Sequence, residues 1–348
     1  MAVGQGDIQN ALSYLAVGQE TTFKTYSTCT AVLPFLSASI KTKQENKILE
    51  EVTTYRTYEN RISMMKKIEG SVEFYAYPES SAFVYMLQNA FGGSITTASA
   101  TGETAGGLAF THTIDLGNFS NTITSLCMNH RKGDSASGFV YEYSGIRINE
   151  LTFTSEIDEA LKCNASFIAV DSSAGSNDVA SALTSAAFNP LSFVNGRLSV
   201  EATFASLTSS SYWHIQSVEF GLSNNLKSDA SSGRIGSSVL DVLTPGIASF
   251  NFTATLRFDT LTSYNAMLNE TQFSAELEWQ GPTLTTSIIR SGVKLQMPRI
   301  FISDAGDPEV SGPDGVLTSQ VTMHVLRDKT SATGYACRAL VTNNTSSY

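Results

Sequence analysis

Basic residues are scarce in this chain: 22 Lys and Arg stand against 32 Asp and Glu, a formal net charge of −10 over 348 residues. Proteins that grip nucleic acid do so by neutralising phosphates with clustered cations. Here the densest basic group, Arg61, Lys66 and Lys67, is interleaved with Glu59 and Glu69 and reads as a solvated, charge-balanced face. Cysteine is sparse too. Cys29, Cys127, Cys163 and Cys337 lie far apart without metal-ligand spacing and are expected as buried free thiols. No run approaches the roughly 20 apolar residues of a membrane-spanning helix. Residues 1–19 have neither the basic cluster nor the apolar core of a secretion signal, so no membrane partner is expected.

Catalytic signatures are missing as well. The histidines are His112, His130, His214 and His324; Cys127 and His130 stand three apart, but no second pair completes a zinc site. There is no nucleophile elbow, phosphate loop or dinucleotide fingerprint, and the glycine-rich residues 102–107 lack the lysine and strand–turn–helix setting of a phosphate cradle. Asp304, Asp307, Glu309 and Asp314 form an acidic stretch without EF-hand spacing, and Pro313-Asp314-Gly315 is a turn former, so a plain acidic loop is expected. Trp213 and Trp279 sit in strand-like contexts and read as core or interface anchors. The expectation is a non-enzyme with no catalytic residue, no cofactor and no metal.

What is present favours packed β structure. Charged residues make up only 16% of the chain and hydrophobic ones 42%, with abundant Ser, Thr and β-branched residues, enough for two domains with their own cores. One phrase is used twice. Ser144-Gly145-Ile146-Arg147-Ile148-Asn149 returns as Ser291-Gly292-Val293-Lys294-Leu295-Gln296. In each copy the apolar residues then change parity: Ile146 and Ile148 give way to Leu151 and Phe153, and Val293, Leu295 and Met297 to Ile300 and Ile302. A strand that keeps one core side changes parity only through an extra residue, so both copies call for a β-bulge or sharp bend, which Pro298 supports. Residues 144–155 and 291–303 are expected at equivalent positions of a duplicated fold.

A second phrase supports duplication. Val72, Phe74 and Ala76 alternate ahead of a helical stripe of Phe83, Leu87, Ala90 and Phe91 closed by Gly92-Gly93. About 180 residues later Phe252, Ala254, Leu256 and Phe258 alternate ahead of Leu261, Tyr264 and Leu268. Helices are expected near 79–91 and 260–269. Residues 94–107 and 223–238, rich in small and polar residues, read as long mobile loops, as does an N-terminal arm. The expected division is 1–42, an arm and first strands; 43–172, a first domain; 173–189, a linker; and 190–348, a second domain.

Taken together, these features resemble the phage tail tube proteins. The resemblance is carried by residues 67–93, by 141–151, and by 297–326 with the ending Ala339-Leu340-Val341-Thr342-Asn343. It implies a mainly β fold of two tandem β-sandwich or barrel-like tail-tube domains, each with one α-helix packed on its sheet. It further implies a structural protein of the virion tail, assembled in the host cytoplasm, that self-associates into rings and stacked tubes. Six-fold rings of tube domains become three chains when each chain carries two. The implied partners are the tape measure protein, tail terminator or tip proteins, and DNA in transit without tight binding. A tube or needle protein of a contractile tail or secretion apparatus, and a surface carbohydrate-binding β-sandwich, are the alternatives.

Overall fold

The fold is that of a computed structural model, which describes residues 13–52, 54–103, 107–116, 124–133, 139–175, 179, 188–207, 212–257, 262–284, 287–306, 316–329 and 334–348. In chain order, β1 (Tyr14–Gln19), β2 (Ala31–Val32), β3 (Ser37–Ile48) and β4 (Arg61–Tyr75) precede α1 (Ser81–Phe91). Then follow β5 (Ile95–Ser99), β6 (Phe110–Asp115), β7 (Leu126–Lys132), β8 (Phe139–Glu156), β9 (Lys162–Ala169) and β10 (Asp171–Ala174). The rest of the chain supplies β11 (Gly196–Glu201), β12 (Tyr212–Trp213), β13 (Ile215–Ser223), β14 (Ser249–Arg257), α2 (Thr262–Leu268), β15 (Gln272–Thr283), β16 (Arg290–Ala305), β17 (Thr318–Val325) and β18 (Arg338–Asn343). The protein is mainly β, with antiparallel sheets in a sandwich-like arrangement.

Local chemistry accounts for the elements. Along β4, Val72 and Phe74 are fully buried while Glu73 and Tyr75 are half-exposed on the other face, the period-two pattern of a half-buried strand. α1 buries Phe83, Met86, Leu87, Ala90 and Phe91 and stops where Gly92 takes φ 68°, its N–H donating to the Gln88 carbonyl at 2.8 Å. Both helices fall where the sequence places them.

The pairings of the first half recur in the second. β1 pairs with β2 and β7, and β11 pairs with β12 and β15. β3–β4–β9–β8–β7 is one run of neighbours, and β13–β14–β17–β16–β15 is another. β10 flanks the first part of β8 as β18 flanks the first part of β16.

The bulges demanded by the parity change are present. β8 has one at Ser144-Gly145 against β7 and one at Asn149 against β9. β16 has one at Pro298-Arg299 against β15 and one at Ser303 against β17. These pairs of bulges also correct the expected alignment. Ile146 and Ile148 lie between the bulges of β8, and Ile300 and Ile302 lie between those of β16. The Ser-Gly phrases therefore occupy equivalent strands but not equivalent positions; Ser144-Gly145 corresponds to Pro298-Arg299. Gly145 sits in its bulge at φ 65°, whereas Gly292 is an ordinary ladder residue opposite Thr342. The recurrence rests on pairing, and the shared letters are incidental.

Two stretches expected as long loops are built into the fold. Residues 95–99 form β5 on β6, and residues 224–243 pack Leu226, Val239, Leu240 and Leu243 against Ile168 and Val170. Leu240 and Leu243, just beyond the polar stretch, give that segment an apolar footing. Residues 1–12 of the expected arm lie outside the described residues, and Tyr14–Gln19 is already a ladder strand on β7.

Candidate functional site

The two long bent strands, β8 and β16, each divide at their bulges between two layers. Their second parts lie in one continuous antiparallel sheet of eight strands, β3–β4–β9–β8–β13–β14–β17–β16. The seam between the halves is an ordinary ladder, running from Glu150↔Ser223 to Glu156↔Ser217. One face of this sheet is core: Val72, Phe74, Cys163, Ala165, Phe153, Phe220, Phe252, Val321 and Met323 are buried there.

The opposite face is polar. Its cross-strand rows run Ser39–Ser71–Ser166–Glu150–Ser223–Ser249 and Ser37–Glu73–Asn164–Thr152–Gly221–Asn251. A third row runs Tyr75–Lys162–Thr154–Glu219–Thr253–Thr322–Asp304. Further along, Thr255 faces Gln320 and Arg257 faces Thr318. The charges nearly balance: Lys41, Lys43, Lys67, Lys162 and Arg257 are set against Glu69, Glu73, Glu150, Glu156, Glu219 and Asp304. Some acids are engaged locally, as where Asn251 Nδ2 donates to Glu219 Oε1 at 2.8 Å. At one end the face is closed by residues 224–243, where the Arg147 guanidinium donates to the Leu243 carbonyl.

The seam is pinned at the Asn149 bulge. Ile148 N–H donates to Asn89 Oδ1 of α1 at 2.7 Å, and Asn224 Nδ2 donates to the carbonyls of Ile148 and Ala90 at 2.9 and 2.8 Å. Leu226 N–H donates to Asn149 Oδ1 at 2.8 Å, and Trp279 Nε1 donates to Ser155 Oγ at 3.2 Å. Trp279 is thus the core anchor expected of it, and Trp213 is half-buried on β12.

The sheet ends in two free margins. Among the described residues β3 pairs only with β4, and its other side has no partner strand. Among the described residues β16 is flanked by β17, while on its other side the ladder with β15 stops at Phe301, leaving Asp304 to Gly306 without a partner strand; there Met267 of α2 lies against the Ala305 N–H.

Residues singled out for chemistry do not converge. Cys127 and His130 are an odd number of residues apart on β7 and face opposite ways: Cys127 lies 3.2 Å from the Cys29 thiol, and His130 stacks edge-on against Phe35. All four cysteines are buried and free. Burial, with nearby Lys132, holds His130 down to about 4. His112 is also lowered by burial and is held by Thr97 Oγ1 and Asn343 Oδ1, both at 2.9 Å. Among the described residues no group of three His, Cys, Asp or Glu is placed to hold a metal ion. Of the acidic stretch, Asp304 lies at the open edge of β16, while Asp307, Glu309 and Asp314 lie outside the described residues.

Sequence reasoning did not assign the polar face as a surface. Its signal was available in the Ser/Thr-rich parity of Thr152-x-Thr154, Thr253-x-Thr255 and Thr318-x-Gln320-x-Thr322, set against apolar residues on the other parity. No curated protein matches the chain. A family model described as phage tail tube protein matches residues 10–324, from before β1 into β17, with β18 beyond the match.

Proposed function

The chain belongs to the phage tail tube protein family, and from that premise we propose that it polymerises as stacked rings of three chains into the tube that conducts DNA into the host. In this reading residues 43–172 and 190–348 carry two tube domains joined through 173–189, with β1 and β2 belonging to the first as β11 and β12 belong to the second. The polar sheet face is the lumen wall.

The observation that carries the reading is the single sheet to which both halves contribute four strands each. A second half that merely decorated the outside of a six-chain ring would not continue that sheet. Three such sheets joined edge to edge make a closed wall without free edges. At about 4.8 Å between strands, its backbone diameter is about 37 Å before strand tilt widens it.

The wall chemistry suits passage. Ser, Thr and Asn side chains with nearly balanced charge offer phosphates no continuous cationic track, so DNA slides without being held. The same scaffold accounts for a role without catalysis. Tape measure, terminator and tip proteins are the partners this assembly requires at its interior and ends. Among the described residues no helix is long and apolar enough to cross a membrane.

Image reconstruction of tubes grown from the purified chain, with native mass spectrometry of released rings, tests the proposal. Three chains per ring, with six wall segments related by pseudo-six-fold symmetry, are expected; six chains per ring defeats it.

A further inference from the structure

The seam inside the chain provides a template for the contact between chains. Matching bulges and ladders makes β3 the counterpart of β13, with Ser37 to Lys43 corresponding to Ser217 to Ser223. By the same matching, Asp304 and Ala305 of β16 correspond to Glu150 and Leu151 of β8. β13 and β8 are already paired, and their counterparts are the two free margins of the sheet. We propose that β3 of a second copy of this chain adds to the open edge of β16 in the register of the internal seam. This sets Lys43 opposite Asp304, Thr42 opposite Ala305 and Lys41 opposite Gly306. The inference rests on the tube reading and names the edges and register by which its rings close.

Independent observations support this occupant. Lys43 and Asp304 are both exposed, lie on the polar face, and carry opposite charge where the template pairs Ser223 with Glu150. Lysines on an edge strand ordinarily deter pairing with arbitrary strands; an acid directly opposite turns that deterrent into selection for one partner and one register. The backbone of β16 is also incompletely served at this edge: Ala305 N–H, in the counterpart of Leu151, has the Met267 thioether at 3.3 Å, a weak acceptor that a strand carbonyl improves upon.

The test uses the full chain with Lys43→Cys and Asp304→Cys together, the native thiols being buried. Oxidised tubes should give covalent species of up to three chains on a non-reducing gel, while Lys41→Cys with Asp304→Cys, two residues out of register on the same face, should stay single. Reversing one charge, Lys43→Glu or Asp304→Lys, should raise the concentration needed for assembly about fivefold. The double reversal should restore it. Tubes visible by microscopy in which the 43/304 pair does not cross-link, or the 41/304 pair cross-links instead, overturn the register while leaving the tube reading intact. Single reversals that assemble like the parent, or a double reversal that rescues nothing, overturn it by a route that needs no cysteine variant to fold. A parent chain that forms no tubes under any assembly condition removes both readings.

Discussion

Replacing Asn89 by Ala should destabilise the seam between the halves measurably. Asn89 is 1% exposed; its Oδ1 accepts Ile148 N–H at 2.7 Å, and its Nδ2 donates to the Thr124 carbonyl. The bulge at Asn149 lies beside that N–H, so the helix side chain supplies its acceptor. Truncation leaves the buried Ile148 N–H unpaired at about 1–3 kcal/mol and removes a bond to the carbonyl of the exposed Thr124 worth about 1 kcal/mol, offset by about 0.5 kcal/mol of helix propensity, for a net loss of about 1.5–3.5 kcal/mol. With an unfolding entropy of about 2.1 cal/mol/K per residue, a chain of this length unfolding as one unit loses about 2–5 °C in Tm. Scanning calorimetry of the unassembled protein reads the shift, and hydrogen exchange reads the Ile148 amide directly. Asn224→Ala removes the donors to Ile148 and Ala90, and its effect should be non-additive with Asn89→Ala because both side chains hold Ile148. A Tm drop under about 1 °C with Ile148 still protected would refute the reasoning that α1 holds the bulge.

Three further outcomes are expected. Gly70→Ala puts a methyl group 2.5 Å from the Phe167 ring and should cost about 1–3 kcal/mol, with Phe167→Met restoring much of it; denaturant titration of both variants checks this. His130 is buried with its folded pKa lowered from 6.5 to about 4, so the unfolded chain takes up the proton first. Its contribution is therefore complete above pH 6.5 and is lost as pH falls towards 4, by roughly 3 kcal/mol, and His130→Leu should flatten the acid side of the pH–stability curve. The assembled tube should bind double-stranded DNA no tighter than micromolar at physiological salt, and sub-micromolar anisotropy titrations would count against a passive conduit.

Much of the architecture was legible in residue order. Alternation along residues 71–77 and 252–258, followed by helical stripes and a closing Gly92, located both strand–helix units, because side-chain periodicity is a local property. The parity change in β8 and β16 announced bulges for the same reason. The alignment of the copies was not local. The shared Ser-Gly letters suggested a register that the ladders shift by seven residues, since correspondence is decided by which neighbour each residue faces. The volumes agree with the ladders: Gly70 leaves room for Phe167, while at the matching positions Phe252 fills the space and Met323 yields it.

By itself the sequence determined that the chain is β-rich and acidic and that a strand–helix phrase occurs in it twice; these follow from composition and periodicity. Only the tertiary structure decided that the two halves share one sheet. The seam depends on β13 meeting β8 across the 58 residues between Glu156 and Ile215, and on Asn89 and Asn224 converging on Ile148 from opposite halves. Hydrogen-bonding edges have no sequence signature, because every residue but proline carries the same N–H and C=O. Which edges are satisfied and which stay open is settled only when the strands are in place.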